Sequence, residues 1–533
     1  MLIMAAVRVD EMTKRALLLM LLMLMMVKMQ NISAARILLA SPQIPSHVMA
    51  QTATGEELVQ RGHEVYIAVG SRYSSQESLE QLGLRVITYY IPSDVPFGVN
   101  DDFLAEFIFS PQYEAIKLSL ALSAMVSRHC ELMLCDNKFM ERVRALELDL
   151  VLVEPFATNP CVLLLPYRLN VRFVSLTNFY LPWIIRMPAL PSFHRIRGPI
   201  DICADGPSVL WNSLINTVIY LSAHWRIPAL VWNDTLLEKY SSSRRLTWNE
   251  LILKSELFFV TSDHHLGSPL PVFPNVIPVP GITVRPTKPL PDTLEQLATH
   301  SRGGVILVTF GSMASHFPNP VVVKFLEAFS RVKQTVIAKL SIPEGVSVPS
   351  NVHVFQWLPQ NDILGHRHTR LFITHCGSNG QHEALYHGVP MIGIPLFAEQ
   401  PSNCERARAK GFGLHMNIHD FTSDELFDNI EEILNNRSYS DNIKVRSAIL
   451  RDEPLIGPKK AAHWIEHVIN YGSVHLRSPA MDLSLYSFLM LDVITVVCFT
   501  TLVVLTIICA SAVVVTSNIW RRLMYRPCHK KIQ

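Results

Sequence analysis

The chain lacks the excess of positive charge that a nucleic-acid-binding protein needs. Its 533 residues carry 47 Lys and Arg against 45 Asp and Glu, which leaves a net charge of +2. A charge so near zero gives no electrostatic basis for binding nucleic acid, so we expect no such partner. The chain also has no Asp-x-Asp pair. We therefore predict no metal-binding residues.

Charged residues are also missing from a stretch near the N-terminus. Residues 16–27 form an apolar run that consists mostly of Leu and Met, directly after Lys14 and Arg15. A basic flank before an apolar run of this length is the pattern of a secretory signal peptide, and the run is too short for a membrane span. We assign residues 1–35 to this signal.

A longer uncharged stretch lies near the C-terminus. Residues 493–520 contain no charged side chain, and as a helix they would be roughly 42 Å long against a hydrocarbon layer of about 30 Å. We predict a transmembrane helix at residues 491–520, in contact with membrane lipid, and a cytosolic basic tail at residues 521–533. The remainder would then be lumenal. Lys530 and Lys531 resemble a dilysine signal for the endoplasmic reticulum, although basic residues after a span are common.

Cysteine is too scarce for a dense disulfide framework. Of the nine cysteines, six lie in the part that we expect to be lumenal, where disulfides can form. The sequence alone does not determine the pairing. Cys161 could pair with either Cys130 or Cys135.

Strands alternate with helical stretches on both sides of a proline-rich segment at residues 269–291. Such alternation predicts parallel βαβ units, and proline stiffens a linker. A chain of this length exceeds what one hydrophobic core usually organises. We predict an α/β fold with domains at residues 36–283 and 284–475. An apolar helix near residues 209–221 would either line a lipophilic pocket or pack on the sheet.

Residues 372–400 contain the most informative pattern of the chain. A short strand at residues 371–374 runs through a turn at residues 375–378, and a helical pattern begins at about Asn379. A strand that runs through such a turn into a helix directs unpaired backbone N–H groups and the positive end of the helix dipole to one place. This arrangement predicts a phosphate site.

Polar side chains surround this predicted site. His375 can donate a ring N–H, and Ser378 and Asn379 can add polar contacts. Glu383, one helical turn further on, can accept hydrogen bonds from ribose hydroxyls. Taken singly, a turn that contains glycine is usually only a turn, so the ordered combination is what carries the prediction.

A second strand is predicted at residues 389–397, and Glu399 and Gln400 follow its C-terminal end. Ligands of open α/β sheets lie beyond the carboxyl ends of the strands. This pair is therefore placed to bind sugar hydroxyls, although a Glu-Gln pair is usually only surface.

The combination over residues 372–400 resembles the signature of the UDP-glycosyltransferase family, the membrane-bound glucuronosyl- and glucosyltransferases of animals. The resemblance implies the GT-B fold, in which two Rossmann-like domains face a cleft, and a UDP-sugar as co-substrate without a separate cofactor. Residues 355–366 also resemble the family, which implies that Trp357 stacks on uracil and Gln360 binds the base or ribose. Trp357 could instead be buried in the hydrophobic core, as a lone tryptophan usually is. The implied UDP-sugar-binding residues are Ser312, Lys339, Trp357, Gln360, His375, Gly377, Ser378, Asn379, Gly380, Glu383, Glu399 and Gln400.

Several positions depart from the pattern of the family. Lys339 stands where many members have Arg, which keeps the charge but loses the bidentate fork. Cys376 replaces a common Gly, and Glu399 replaces the usual Asp. Thr261 lies in a stretch where several glucuronosyl-using members carry Arg. The resemblance therefore leaves glucuronic acid and glucose both open as the sugar.

The resemblance also implies a catalytic pair. Family members keep a histidine in the loop after the first strand, upstream of a motif that reads Arg61-Gly-His-Glu-Val65 here, and that histidine is His47. An alcohol is a poor nucleophile, so His47 would be the general base. Glu154 stands where the family has Asp and would orient His47, although it could instead be a solvated strand end. The implied reaction is an inverting displacement on a small lipophilic acceptor.

Other functions remain compatible with the sequence. Glu154 in place of Asp suggests a catalytically silent UDP-sugar binder or a regulatory partner subunit as the alternative. A type I receptor ectodomain is less well supported, because such modules rarely carry an α/β nucleotide site. The sequence leaves open whether the protein forms homo- or hetero-oligomers.

Overall fold

The computed structural model describes most of the chain and divides it into two units, Met1–Leu476 and Arg477–Gln533. Residues 1–33 of the predicted signal peptide, the predicted helix at residues 209–221 and the predicted dilysine signal lie outside the described residues. The residues described are 34–96, 101–109, 115–155, 159–177, 232, 234–241, 246–261, 264–267, 269, 272–312 and 314–525.

The first half of the chain forms a parallel sheet. Its strands have the order β3-β2-β1-β4-β5-β6-β7. They are β1 (Arg36–Ala40), β2 (Glu64–Gly70), β3 (Arg85–Tyr89), β4 (Leu150–Val153), β5 (Phe173–Thr177), β6 (Phe258–Val260) and β7 (Val276–Pro278). The helices described between them are α1 (Pro45–Gln60), α2 (Gln76–Gln81), α3 (Asp101–Phe109), α4 (Ala115–Cys135), α5 (Asn137–Arg144), α6 (Leu164–Leu169), α7 (Asp234–Tyr240) and α8 (Trp248–Ile252).

The second half forms another parallel sheet, with the strand order β10-β9-β8-β11-β12-β13. Its strands are β8 (Val305–Thr309), β9 (Thr335–Ala338), β10 (Val352–Val354), β11 (Thr369–Thr374), β12 (Met391–Gly393) and β13 (Gly413–His415). Its helices are α9 (Asp292–His300), α10 (Asn319–Ser330), α11 (Gln360–Leu364), α12 (Ser378–His387), α13 (Gln400–Ala409), α14 (Ser423–Asn435) and α15 (Arg437–Asp452), followed by α16 (Gly457–Tyr471).

The sequences of the central strands explain why both sheets are parallel and covered by helices. β4 reads Leu-Val-Leu-Val and β8 reads Val-Ile-Leu-Val-Thr, and every residue of both strands is buried. Continuous aliphatic runs of this kind are typical of strands that are covered on both faces by crossover helices. The predicted α/β fold with two parallel sheets is confirmed.

β12 is shorter than the strand predicted at residues 389–397. It pairs with β11 and β13 only from Met391 to Gly393. Pro395 has no backbone N–H and cannot continue the ladder. The chain therefore leaves the sheet early, and residues 394–399 form a loop before α13.

Helix α16 packs against the first sheet although it follows the second in sequence. Arg61, just after α1, donates to Glu466 of α16 over 2.9 Å, and Arg172 donates to the carbonyl of Val468 over 3.0 Å. The predicted domain limits, residues 36–283 and 284–475, stay predictions. The buried apolar residues of α16 join the core around β1 and α1, and they are Ala461, Ala462, Ile465 and Val468.

The second unit contains α17 (Leu485–Phe488) and α18 (Leu491–Met524). Among the described residues, α18 is the helix that is long and apolar enough to cross a membrane, and none of its most apolar 18-residue window is buried. It begins at the residue predicted from the sequence and continues through Arg521 and Arg522. A membrane-spanning role fits its length and composition.

The structure decides between the two disulfides considered for Cys161. Cys161 is bonded to Cys130 of α4, and Cys135 carries a free thiol. A second disulfide joins Cys376 to Cys404, a pair that the sequence did not predict.

Candidate active site

His47 and Glu154 meet at one edge of the first sheet. β1 and β4 are neighbours in register, with Ala40 opposite Val153. Since parallel strands end at the same edge, α1, which starts after β1, and Glu154, which follows β4, come together there. Pro45 opens α1 with a backbone angle that already suits a helix, and this places His47 in its first turn.

The His47–Glu154 contact is short and largely shielded from solvent. His47 Nδ1 lies 2.5 Å from Glu154 Oε1, and the two side chains are 13% and 2% exposed. Burial lowers the pKa of His47, but the charge of Glu154, its hydrogen bond and the more distant charge of Glu399 outweigh burial and raise the pKa overall. When this ring is neutral and donates from Nδ1 to the carboxylate, Nε2 carries no proton and can accept one. This contact has the geometry that a general base and an orienting carboxylate require.

The predicted phosphate site has the strand–turn–helix geometry. β11 ends at Thr374, Gly377 is the residue before α12, and α12 runs from Ser378 to His387. Gly388 ends this helix in the left-handed conformation at φ +70°, which glycine adopts without steric cost. The N-terminus of α12 therefore presents its unpaired backbone N–H groups beside the turn.

His375 is packed tightly in this turn. A Cβ added to Gly311 would come within 2.7 Å of the His375 ring, and one added to Gly377 within 2.5 Å. Burial and the charge of Lys339 lower the pKa of His375 to about 4, so the ring is neutral at neutral pH. Lys339 Nζ donates to the carbonyl oxygens of Gly311 and Ser312 over 2.8 and 3.2 Å, which fixes the turn after β8.

Glu383 lies in a buried hydrogen-bond network. Thr283 Oγ1 donates to one of its oxygens over 2.7 Å, and Gln360 Nε2 donates to the other over 2.8 Å. Burial raises the pKa of Glu383, although these two hydrogen bonds oppose that effect. Thr309 Oγ1 completes the network by donating to Gln360 Oε1 over 2.7 Å. Thr283, which lies within the proline-rich segment at residues 269–291, was not predicted from the sequence, because no motif marks it.

Gly380 on α12 leaves room for the side chain of Gln360. A Cβ added to Gly380 would lie 3.1 Å from Gln360 Nε2. Asn379 occupies the position before it on α12. The structure therefore brings Gln360 and the first turn of α12 together, as the prediction requires.

Trp357 is not part of the core. Its side chain is 63% exposed, and Lys339 Nζ lies 5.9 Å from the centre of its ring. A large exposed aromatic face beside a cation is suited to stacking on a planar base.

Glu399 and Gln400 stand at the start of α13. Gln400 Oε1 accepts from the backbone N–H groups of Leu396 and Phe397 over 2.8 and 3.1 Å, so the carbonyl end of this side chain holds the loop. The amide N–H₂ end is what Gln400 can offer to a ligand. Burial raises the pKa of Glu399, which the charge of His47 opposes.

Thr261 links the two halves of the chain at the phosphate turn. It follows β6, and its Oγ1 lies 3.5 Å from Ser378 Oγ. The position that the sequence singled out for its lack of a positive charge is therefore in contact with the N-terminus of α12.

Comparisons with known proteins agree with this geometry. The family model of the UDP-glucuronosyl and UDP-glucosyl transferases matches residues 36–526. UDP-glucuronosyltransferase 2C1 of Oryctolagus cuniculus is 32% identical over 398 residues, which cover 72% of this chain and 78% of that protein. UDP-glucuronosyltransferase 2B7 of Homo sapiens is 28% identical over 482 residues, which cover 86% of this chain and 89% of that protein.

Solved structures show the same fold at lower identity. A UDP-glucosyltransferase from Polygonum tinctorium superposes with a TM-score of 0.57 at 18% identity and covers 83% of this chain and 100% of its own. The calicheamicin glycosyltransferase superposes with a TM-score of 0.57, also at 18% identity, over 83% of this chain and 99% of its own. The two-sheet architecture is that of GT-B glycosyltransferases.

Proposed function

Because the chain belongs to the UDP-glucuronosyl and UDP-glucosyl transferase family and is therefore a glycosyltransferase, we propose that it transfers a hexosyl group from a UDP-sugar to a hydroxyl of a small lipophilic acceptor. The observation that carries this proposal is the shielded His47–Glu154 pair with its 2.5 Å contact. The charge of Glu399 contributes to the raised pKa of His47, which supports a sugar site close to the pair. Glu154 makes this contact although it stands where the family has Asp.

In the proposed reaction His47 is the general base. Its Nδ1–H donates to Glu154, and Nε2 takes the proton of the acceptor hydroxyl while the oxygen attacks the anomeric carbon. The bond from that carbon to the diphosphate oxygen breaks on the opposite face, so the configuration inverts and UDP leaves. General base catalysis of this kind contributes a factor of about 10² to 10⁴ in rate.

The donor would be held by the second sheet. The backbone N–H groups of α12 and the neutral ring of His375 meet the charge that develops on the diphosphate. Trp357 stacks on uracil, and Glu383, held in place by Gln360, accepts from the ribose hydroxyls. We propose that these groups, rather than a metal ion, stabilise the leaving UDP.

The sugar site would contain Glu399 and the amide N–H₂ of Gln400. Glu399 is one methylene longer than the family's Asp, and Thr261 offers no positive charge near Ser378. UDP-glucuronic acid and UDP-glucose are therefore the two donors to compare directly.

The proposed location is the endoplasmic reticulum membrane. α18 would span the bilayer, with the basic tail in the cytosol and both sheets in the lumen. We also propose that the protein can associate with a second copy or with a related subunit.

The test is product formation by the full-length membrane protein. UDP-glucuronic acid and UDP-glucose are offered separately with a panel of phenols and steroids, and His47→Ala is measured beside the unaltered protein. We expect conjugate from one of the donors, and a loss of about 10²-fold or more in His47→Ala with UDP affinity retained. UDP binding without any conjugate would instead support the alternative, a silent UDP-sugar binder, and Glu154→Asp would then be the first variant to assay.

A further inference from the structure

The Cys376–Cys404 disulfide connects two segments of the donor site. Cys376 lies in the phosphate turn between His375 and Gly377. Cys404 lies in the second turn of α13, the helix that begins at Gln400. The bond therefore joins the segment proposed to hold the diphosphate to the one proposed to hold the sugar.

The backbone at Cys376 is in a conformation that a side chain disfavours. Its φ is +62°, in the left-handed region that glycine adopts freely and other residues adopt at a cost. A non-glycine residue stays in this region only when its surroundings hold it there. The covalent bond to α13 is one such restraint on the phosphate turn.

Neighbouring residues are fitted to this bond. Asn403, next to Cys404, donates from its side-chain amide to the carbonyl oxygen of Cys376 over 2.9 Å. Its backbone carbonyl accepts from the side chain of Gln381 of α12 over 3.1 Å. A Cβ added to Gly393 of β12 would come within 2.3 Å of the Cys376 sulfur and within 2.4 Å of the Cys404 sulfur. Glycine at position 393 therefore leaves the space that the disulfide occupies.

We propose that the Cys376–Cys404 disulfide holds the phosphate turn in its donor-binding conformation, so that its reduction by a dithiol weakens UDP-sugar binding. The proposal rests on the proposed function. In the reduction the S–S bond breaks and each sulfur gains a proton, while the dithiol is oxidised to its own disulfide. Cys376 and Cys404 act here as positioning residues, because they fix the turn and do not take part in the transfer.

The proposal has a reciprocal consequence. If the reduced protein binds UDP more weakly by some factor, then bound UDP must disfavour reduction of this disulfide by the same factor. Cys376 and Cys404 are only 1% and 2% exposed, so a reductant reaches them when the turn opens. Bound UDP should therefore also slow the reduction.

The Cys130–Cys161 disulfide is the matched control. It is also buried, with 6% and 0% exposure, and it joins α4 to the segment after Asn159 in the first half of the chain. The full-length protein is titrated with a dithiol with and without UDP, and trapped thiols are counted at each pair. We expect UDP to protect Cys376–Cys404 and to leave Cys130–Cys161 unaffected.

Variants test the same point through binding and kinetics. Cys376→Ala with Cys404→Ala should raise the UDP Kd and the donor KM about tenfold, a factor on the scale of the strain of one left-handed residue, while the acceptor KM stays within about twofold. Cys376→Gly with Cys404→Ala should recover much of this loss, because glycine adopts the turn conformation freely. Cys130→Ala with Cys161→Ala should change thermal stability without changing the donor KM.

The outcomes separate the two proposals. Equal UDP affinity of the oxidised and reduced proteins, or equal protection of both disulfides, would overturn the role of the Cys376–Cys404 bond. Failure of the untreated protein to bind UDP at all would overturn the proposed function instead. If the Ala-Ala variant fails to fold, the dithiol titration of the unaltered chain decides the question.

Discussion

Replacing Glu154 by Gln tests the catalytic pair most directly, because it removes the charge and keeps the size of the side chain. The glutamine oxygen can still accept from His47 Nδ1, which now lies 2.5 Å from a carboxylate oxygen. A hydrogen bond to a charged group contributes about 1.5–3 kcal/mol and a neutral one about 0.5–1.5 kcal/mol. The imidazolium that forms in the transition state should therefore lose about 1–2 kcal/mol, which lowers kcat roughly 5- to 30-fold.

The same substitution should change the pH dependence of kcat. Burial lowers the pKa of His47, and Glu154 is the main reason that the pKa is nevertheless raised above 6.5. The base must be neutral, so kcat of the unaltered protein falls as pH drops through this raised pKa. Without the charge of Glu154 the pKa of His47 falls, and the acid limb of the kcat profile should move to lower pH.

The stability effect follows from the same pKa. A raised pKa contributes stability that is fully present below the unfolded pKa and is lost as pH rises through the folded pKa. Glu154→Gln should therefore cost more stability below about pH 6.5 than at about pH 9. Denaturant unfolding at these two pH values measures the difference.

The control is Glu466→Gln, which removes a second carboxylate that faces a histidine. Glu466 Oε1 lies 3.2 Å from His63 Nε2, and neither residue belongs to the proposed site. This variant should lose stability and keep the acid limb of kcat in place. The reasoning about Glu154 is refuted if the limb of Glu154→Gln does not move, moves to higher pH, or moves equally in the control.

Two further substitutions probe the donor site. Trp357→Ala should raise the UDP Kd about 5- to 150-fold, because it removes one base-stacking contact of about 1–3 kcal/mol. The Tm should change little, because the side chain is 63% exposed. A UDP Kd that stays constant in calorimetry would contradict the stacking role. Gly311→Ala places a Cβ within 2.7 Å of the His375 ring at a backbone φ of +84° and should lower Tm and raise the donor KM together. Unchanged values of both would show that the turn adapts.

The fold class could be predicted because the deciding signals are local. The aliphatic run of β4 and the strand–turn–helix from Thr374 to Ser378 each carry their structure in consecutive residues. The meeting of His47 with Glu154 was implied by the resemblance to the family, and the structure explains it, since β1 and β4 are neighbours that end at the same edge. The strand predicted at residues 389–397 was too long because Pro395 outweighs the apolar character of its neighbours.

Partners across long separations could not be predicted. Nothing near Glu383 in the sequence indicates that Thr283 donates to it, and the side chain of Gln400 gives no sign that its carbonyl would cap a loop. The pairing of Cys376 with Cys404 was missed for the same reason, because spacing does not determine which cysteines meet. Such contacts depend on how separate elements pack, which a local pattern does not encode.

The return of α16 to the first sheet has a consequence for hybrid enzymes. An exchange of acceptor specificity between relatives by swapping residues 36–283 alone would set a foreign helix against the transplanted core. In each of two contacts, Arg61 with Glu466 and Arg172 with Val468, the two residues would then come from different parent proteins. A hybrid should fold best when Gly457–Tyr471 comes from the same parent as the N-terminal half, because this helix packs against that half.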